Sequence, residues 1–257
     1  MRSRSLAATL ALAFLAVVLA VLPVSAQSDQ AKRLGDAASV FTEIMSVPDK
    51  AIPSEILERA EAVAVFPNLI KAGFIFGGQR GKGVISVRNR ATGTWSQPAF
   101  LTMTGGSWGA QIGGEAIDLV LVVMNLKGVD SLLSSRFKIG GDVSAAAGPV
   151  GRSAEASTDA TMRAQILSYS RSRGLFAGVT VNGSVVEADD DSNRAFYGQQ
   201  YGSAEIVGRS AADIATGTAG GTSGRARGTT PAGPKPVNPQ AVAEWHQTLS
   251  RHFAVAK

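Results

Sequence analysis

Few residues in this chain could do chemistry, and most of them fall in three glycine-rich or acidic runs. Gly105-Gly106-Ser107-Trp108-Gly109 has the G-x-S-x-G spacing of a nucleophile elbow, with His246 and His252 downstream as bases for Ser107. An elbow needs a strand, a sharp turn and a helix, and Ala110-Gln111-Ile112-Gly113-Gly114 is a poor helix start. Both histidines also follow a Gly- and Pro-rich stretch, a loose mount for a catalytic base. A serine hydrolase using Ser107 is therefore the remote alternative, and a glycine turn between strands is the expected reading. Asp189-Asp190-Asp191-Ser192-Asn193 opens like a calcium loop. Its sixth position is Arg194 instead of Gly, and its twelfth is Gln200 instead of a bidentate Glu. The run fits better as the acidic start of a helix, where the dipole favours it. Gly77-Gly78-Gln79-Arg80-Gly81-Lys82-Gly83 is built like a phosphate cradle, but Val84-Ile85 stands where a nucleotide P-loop needs Ser or Thr. Two readings of that run stay open. Backbone N–H groups with Arg80 and Lys82 could meet a lipid phosphate, or the run is an ordinary charged hairpin tip.

Other constellations are thin. Glu115 and Asp118 are three apart in a strand-like segment, so they point to opposite faces. Asp118 is expected to be a structural hydrogen-bond acceptor. The absence of Cys removes disulfides, thiolate metal sites and cysteine nucleophiles together. No cofactor and no metal are expected.

The elements that must position these residues begin after a secretory signal. Arg2 and Arg4 precede an uncharged run of 17 residues, Leu6 to Leu22. Val24-Ser25-Ala26 then supplies the small residues of a cleavage site before Gln27. The competing reading is an uncleaved anchor, for which 17 residues are at the short edge. Residues 1–26 are thus read as signal peptide and the product as exported to the periplasm or cell envelope. Cleavage leaves 231 residues with a net charge of +3, which permits attraction to anionic lipid and is too weak to imply nucleic acid.

Gln27 to Met45 reads as an amphipathic helix, with Ala31, Leu34, Ala38, Phe41, Ile44 and Met45 at helical spacing. Ser54 is expected to cap a second, short helix. Gly73 to Arg90 looks like a hairpin with its turn at Gly77–Gly81, and Asn89 to Gly93 like another turn. Trp95 to Thr104 is extended, with Pro98 marking an edge or bulge. Ile117 to Met124 is a near-continuous apolar strand, expected to be buried on both faces. Val129 to Ser135 is a short helix, and Phe137 to Ala147, Ala164 to Ser170 and Leu175 to Ala188 are later strands. The doublets Gly77-Gly78, Gly113-Gly114 and Gly140-Gly141 each follow an apolar residue. Glycine weakens a strand, so its repetition points to bends in a tightly curved sheet. The expected fold is α+β, a curved, glycine-rich, mainly antiparallel, barrel-like sheet packed with N-terminal and C-terminal helices. Its domain spans residues 27–215. Residues 216–238 read as a flexible Gly/Thr/Pro linker. Residues 239–257 read as an amphipathic helix capped by Asn238, whose Val242, Trp245, Leu249 and Phe253 are expected to dock back on the domain, the rival reading being membrane or partner contact by Trp245 and Phe253.

A family resemblance emerges from the ordered motifs. Val65-Phe66-Pro67, Lys71-Ala72-Gly73-Phe74 and Gly81-Lys82-Gly83 resemble the opening of the SYLF domain, also called an actin-binding domain after its yeast members. Gly105 to Gly114 followed by Asp118-Leu119-Val120 resembles its centre. Gly148-Pro149-Val150-Gly151-Arg152, Tyr169-Ser170 with Gly174 to Gly178, and Asn193 to Gly198 resemble its second half and close. The resemblance runs almost continuously from residue 32 to 215. It implies a non-enzymatic module that binds phosphoinositide or other anionic lipid through an N-terminal amphipathic basic segment and the domain body. Some relatives also bind actin, a partner not expected for an exported protein. On this reading Lys32, Arg33, Lys71, Arg80 and Lys82 contact an anionic lipid membrane. The alternative is a structural or partner-binding envelope protein without a lipid role.

Overall fold

The computed structural model describes residues 28–47, 51–73, 76–108, 113–134, 136–150, 163–172, 175–178, 181–209 and 234–254. The proposed signal, most of the proposed linker and Gly109 to Ile112 lie outside these residues. Chain order begins with helix α1 (Asp29–Met45) and helix α2 (Ser54–Arg59), followed by four long strands. These are β1 (Ala62–Gly73), β2 (Phe76–Val87), β3 (Ala99–Trp108) and β4 (Gly113–Val123). Helix α3 (Leu126–Leu133) leads to the short strands β5 (Arg136–Lys138) and β6 (Ala145–Ala147). Then come β7 (Ile166–Ser172), β8 (Leu175–Gly178), β9 (Val185–Ala188) and helices α4 (Asp190–Tyr197), α5 (Ser203–Ile206) and α6 (Pro239–Ala254).

The strands form one curled, half-barrel sheet in the order β5-β9-β3-β2-β1-β4-β7-β6, with β8 on β7. Every pairing between these strands is antiparallel except β6 with β7. The fold is α+β, as the glycine-rich strand pattern implied. Leu119 to Val123 are fully buried, which matches their unbroken apolar run.

Helices α1 and α6 lie together against the sheet. Ala31, Leu34, Ala37, Phe41 and Ile44 of α1 are fully buried, so the apolar stripe is part of the core and is not open to a bilayer. Helix α6 is capped by the Asn238 side chain at Ala241 N–H, 3.0 Å. Its Val242, Trp245, Leu249 and Phe253 are buried, and the Trp245 indole donates to Ser86 Oγ at 2.9 Å. At α2 the cap position is Pro53, without a side-chain bond, and Ser54 is the first helical residue.

The Gly77–Gly81 hairpin turn is not there. Those residues are strand, and β2 runs unbroken from Phe76, with Gly73 opposite Gly77. The glycines answer to neighbours distant in sequence. A Cβ on Gly81 would lie 2.6 Å from Leu69 Cδ1, and one on Gly83 would lie 2.5 Å from both the Phe66 ring and the Val65 carbonyl. Phe66 and Leu69 flank a β-bulge. Between Phe66 and Leu69, β1 holds one more residue than β4 opposite it, and β2 shows the same offset. Asn68 takes the left-handed φ of 53°, and its N–H donates to Asp118 Oδ1 at 3.0 Å. Asp118 is therefore the acceptor that its position implied, and it also receives Arg171.

Candidate functional site

The bulge decides which side chains gather. Ser86, Val84, Lys82 and Arg80 alternate onto one face of β2, the face that meets Trp245. Val65 lies opposite Val84 on that face. Uninterrupted alternation from Val65 would bring Lys71 there too. The extra residue shifts the phase, so Ile70 pairs with Arg80 and Lys71 pairs with Gln79 on the opposite face.

The result is an open cleft of about 330 Å³ where β1 and β2 run past the first turns of α1. Lys32, Arg33, Arg80 and Lys82 line it with Asp29, Asp36, Asn68 and Ile70. Four of the five sequence-selected cations thus meet in one place, and Lys71 does not join them. Ile70 is 58% exposed, one of three large exposed apolar side chains among the described residues.

The four cations are held differently. Arg33 is nearly enclosed: its side chain is 10% exposed and pairs with Asp189 at 3.1 Å, with a second bond to Ser192 Oγ. Its guanidinium also lies 5.2 Å from the centre of the Phe100 ring. Arg33 therefore ties α1 to the start of α4. Lys82 reaches the same Asp189 carboxylate at 3.0 Å but remains half exposed, and Lys32 pairs with Asp36 at 2.6 Å on the surface. Arg80 is exposed and has no carboxylate partner among the described residues.

Asp189, read as the acid at a helix start, is the N-cap of α4. Burial pushes its carboxyl up. Hydrogen bonds from Ser192 and Lys82, with the Lys82 charge, outweigh that and hold it below the usual carboxylate range. Its oxygens are thus engaged by protein groups.

The other motifs have settled roles. Ser107 lies within β3 opposite Gly77, and the next described element is strand β4, so the strand–turn–helix context of an elbow is not met. The ring of His246 meets the Ser96 carbonyl, and His252 packs edge-on to Phe41. Among the described residues no group of three His, Asp or Glu is placed to hold a metal ion. Among them, too, no helix is long and apolar enough to cross a membrane.

Residues 104–220 match the family model described as Ysc84, Las17-binding protein actin regulator. The chain belongs to the Ysc84/SYLF family. It is 42% identical over 153 residues to LAS seventeen-binding protein 3 of Saccharomyces cerevisiae, covering 58% of this chain and 33% of that protein. It is 40% identical over 162 residues to Protein YSC84 of the same yeast, covering 62% and 34%. With the human SH3 domain-containing YSC84-like protein 1 it shares 34% identity over 181 residues, covering 69% and 52%. The chain spans about a third to a half of the length of these relatives. The first of these is named as a binding protein, and none of the three is named as an enzyme.

Ile70 was missed in the sequence because its exposure depends on the bulge. The available signal was Pro67-Asn68 inside an apolar strand, a pair that breaks ladder hydrogen bonding and favours a left-handed residue.

Proposed function

We propose that this domain is a non-enzymatic module that docks on anionic phospholipid surfaces of the cell envelope through the α1–β2 cleft. One observation carries the reading: Lys32, Arg80 and Lys82 surround the exposed Ile70 on one open face. Cations level with phosphates around an apolar residue that enters the acyl boundary are the chemistry of an interfacial contact.

The magnitudes indicate weak, reversible docking. Each cation near an anionic surface contributes about 1 kcal/mol, and burying Ile70 adds about 1 kcal/mol. The sum of about 4 kcal/mol corresponds to a dissociation constant of ~1 mM for one domain. Asp36 and Asp189 offset part of it, so Arg80 has the largest role. Phosphoinositide-like head groups, with more charge per lipid, would bind more tightly than single-charge lipids. Actin is not the expected target of an exported chain.

Vesicle flotation tests the reading. The chain should float with phosphatidylglycerol-containing vesicles at low salt and stay behind with pure phosphatidylcholine. High salt should release it. Equal partition to both vesicle types would remove the electrostatic account.

A second reading has its own support: the family description refers to binding a protein partner and to actin regulation, and one relative is named for binding a protein. On that reading the same cleft meets an acidic protein surface. Failure to float, together with capture of an envelope partner that the Arg80→Glu/Lys82→Glu variant does not capture, would favour it.

A further inference from the structure

A second cavity lies at the other end of β2, away from the proposed lipid face. It has a volume of about 460 Å³, within the usual range of small-molecule sites. Arg88, Arg90 and Arg209 line it, together with Trp95, Val207 and Leu126. The Asn89–Gly93 turn forms part of its wall, closed by Asn89 Oδ1 accepting from the N–H groups of Ala91 and Thr92.

The three arginines are not equivalent. Arg90 pairs with Glu61 at 2.8 Å, and Arg209, almost wholly buried, pairs with Asp130 at 2.6 Å. Arg88 has no carboxylate partner among the described residues. Among the described residues its side chain makes one hydrogen bond, a long one of 3.5 Å to the Leu57 carbonyl, and its buried Nε–H has no acceptor. Directly across an isolated β-bridge stands Trp95, 8% exposed, whose buried indole N–H also has no acceptor. Bridge partners project to the same side, so the two unmet donors are neighbours. Phe253 of α6 seals them from behind, with the Arg88 guanidinium 5.3 Å and the Trp95 ring 4.7 Å from its ring centre.

Buried donors without acceptors are rare because each loses its water without compensation. Here two such donors, one of them cationic, belong to residues that border a cavity with further lining from Val87, Leu126 and Val207. An oxyanion would satisfy a guanidinium edge and an indole N–H together, and an apolar body would fill the remaining volume. We propose that this cavity binds a small amphiphilic oxyanion, a carboxylate or phosphate carried on a short apolar body. Arg88 and Trp95 hold the oxyanion after a small adjustment that turns their donors into the cavity, and Leu126 and Val207 face the apolar part. The site is separate from the α1–β2 cleft and does not depend on the lipid reading.

Isothermal titration of the full chain with octanoate and with octyl phosphate tests this, with octyl glucoside as the uncharged control and inorganic phosphate as the headgroup alone. Saturable binding of at least one octyl anion is expected, the stronger one identifying carboxylate or phosphate. Arg88→Gln should weaken it about tenfold and Trp95→Phe about threefold, since each removes one donor. Arg88→Lys, which keeps the charge without the fork, should fall between wild type and Arg88→Gln. Arg80→Glu/Lys82→Glu should bind the octyl anion as wild type does, even if vesicle binding is lost. Circular dichroism checks each variant, and if Arg88→Gln does not fold, Arg88→Lys and Trp95→Phe carry the test. Absence of saturable binding by either octyl anion, equal binding of octyl glucoside, or unchanged affinity in the folded Arg88 and Trp95 variants would overturn the proposal.

Discussion

The α1–β2 cleft and the Arg88–Trp95 cavity both collect cations, and they hold them in opposite ways. In the cleft, Lys32 is 65% exposed and Lys82 50%, on flexible stems around a protruding Ile70. In the cavity, Arg88 stacks on Phe253 and the Arg209 side chain is 2% exposed, between apolar walls. Exposed charges on long side chains suit a plane of many equivalent anions. Fixed charges beside unmet donors suit one molecule of defined shape. Arg33 is the instructive intermediate: it lines the cleft but is held like a cavity residue by Asp189.

Predictions that separate the two regions follow from how deeply each side chain is built in. Phe253→Ala should have the largest effect, about 4 kcal/mol in urea unfolding, because it empties a buried ring site shared by Phe41, Trp95 and Arg88. If the chain still folds, vesicle binding should persist, because the cleft does not include α6. Arg33→Ala should come next, at about 3 kcal/mol, because it leaves the buried Asp189 short of a partner. A variant that loses vesicle binding without losing stability would instead make Arg33 a surface contact like Lys32.

Acid should weaken the helical layer before the cleft. His246 and His252 on α6 are both held below the ordinary imidazole value by burial, and Arg251 adds to the effect at His252. The unfolded chain then takes up protons first, below about pH 6.5. Stability is complete above that pH and falls as the pH drops through the two folded values. Asp189 has the same sign in a lower window, below about pH 4, where its ties to Ser192 and Lys82 are lost. Thermal melts from pH 7.5 to 5 should therefore show a progressive drop, abolished in His246→Gln/His252→Gln. A flat wild-type profile would contradict the burial of these rings. Lys32→Glu should have the smallest effect on stability, within about 0.5 kcal/mol, since its pair with Asp36 is exposed.

How much could be read from the sequence depended on how local each cause is. Helices α1 and α6 and the core of β4 announce themselves by period and unbroken apolar runs, and each is buried as expected. The stretch Gly77–Gly83 misled because glycine signals a turn locally, whereas Gly81 and Gly83 are required by Leu69 and Phe66 across the strand pair. The phase shift at Pro67-Asn68 had the same cost at the site: it exchanged Lys71 for Ile70. The Arg33 tie could not be read because Asp189 lies 156 positions away. The exposed cations were legible because little except solvent decides where they point.

The most direct measurement is flotation of the Arg80→Glu/Lys82→Glu variant beside wild type, at low salt, with phosphatidylglycerol-containing vesicles and an unchanged far-ultraviolet circular dichroism spectrum as the control. The account predicts that wild type floats and the variant remains in the dense fraction. Equal flotation of the two would contradict it, since the cleft would then have lost Arg80 and Lys82 without consequence.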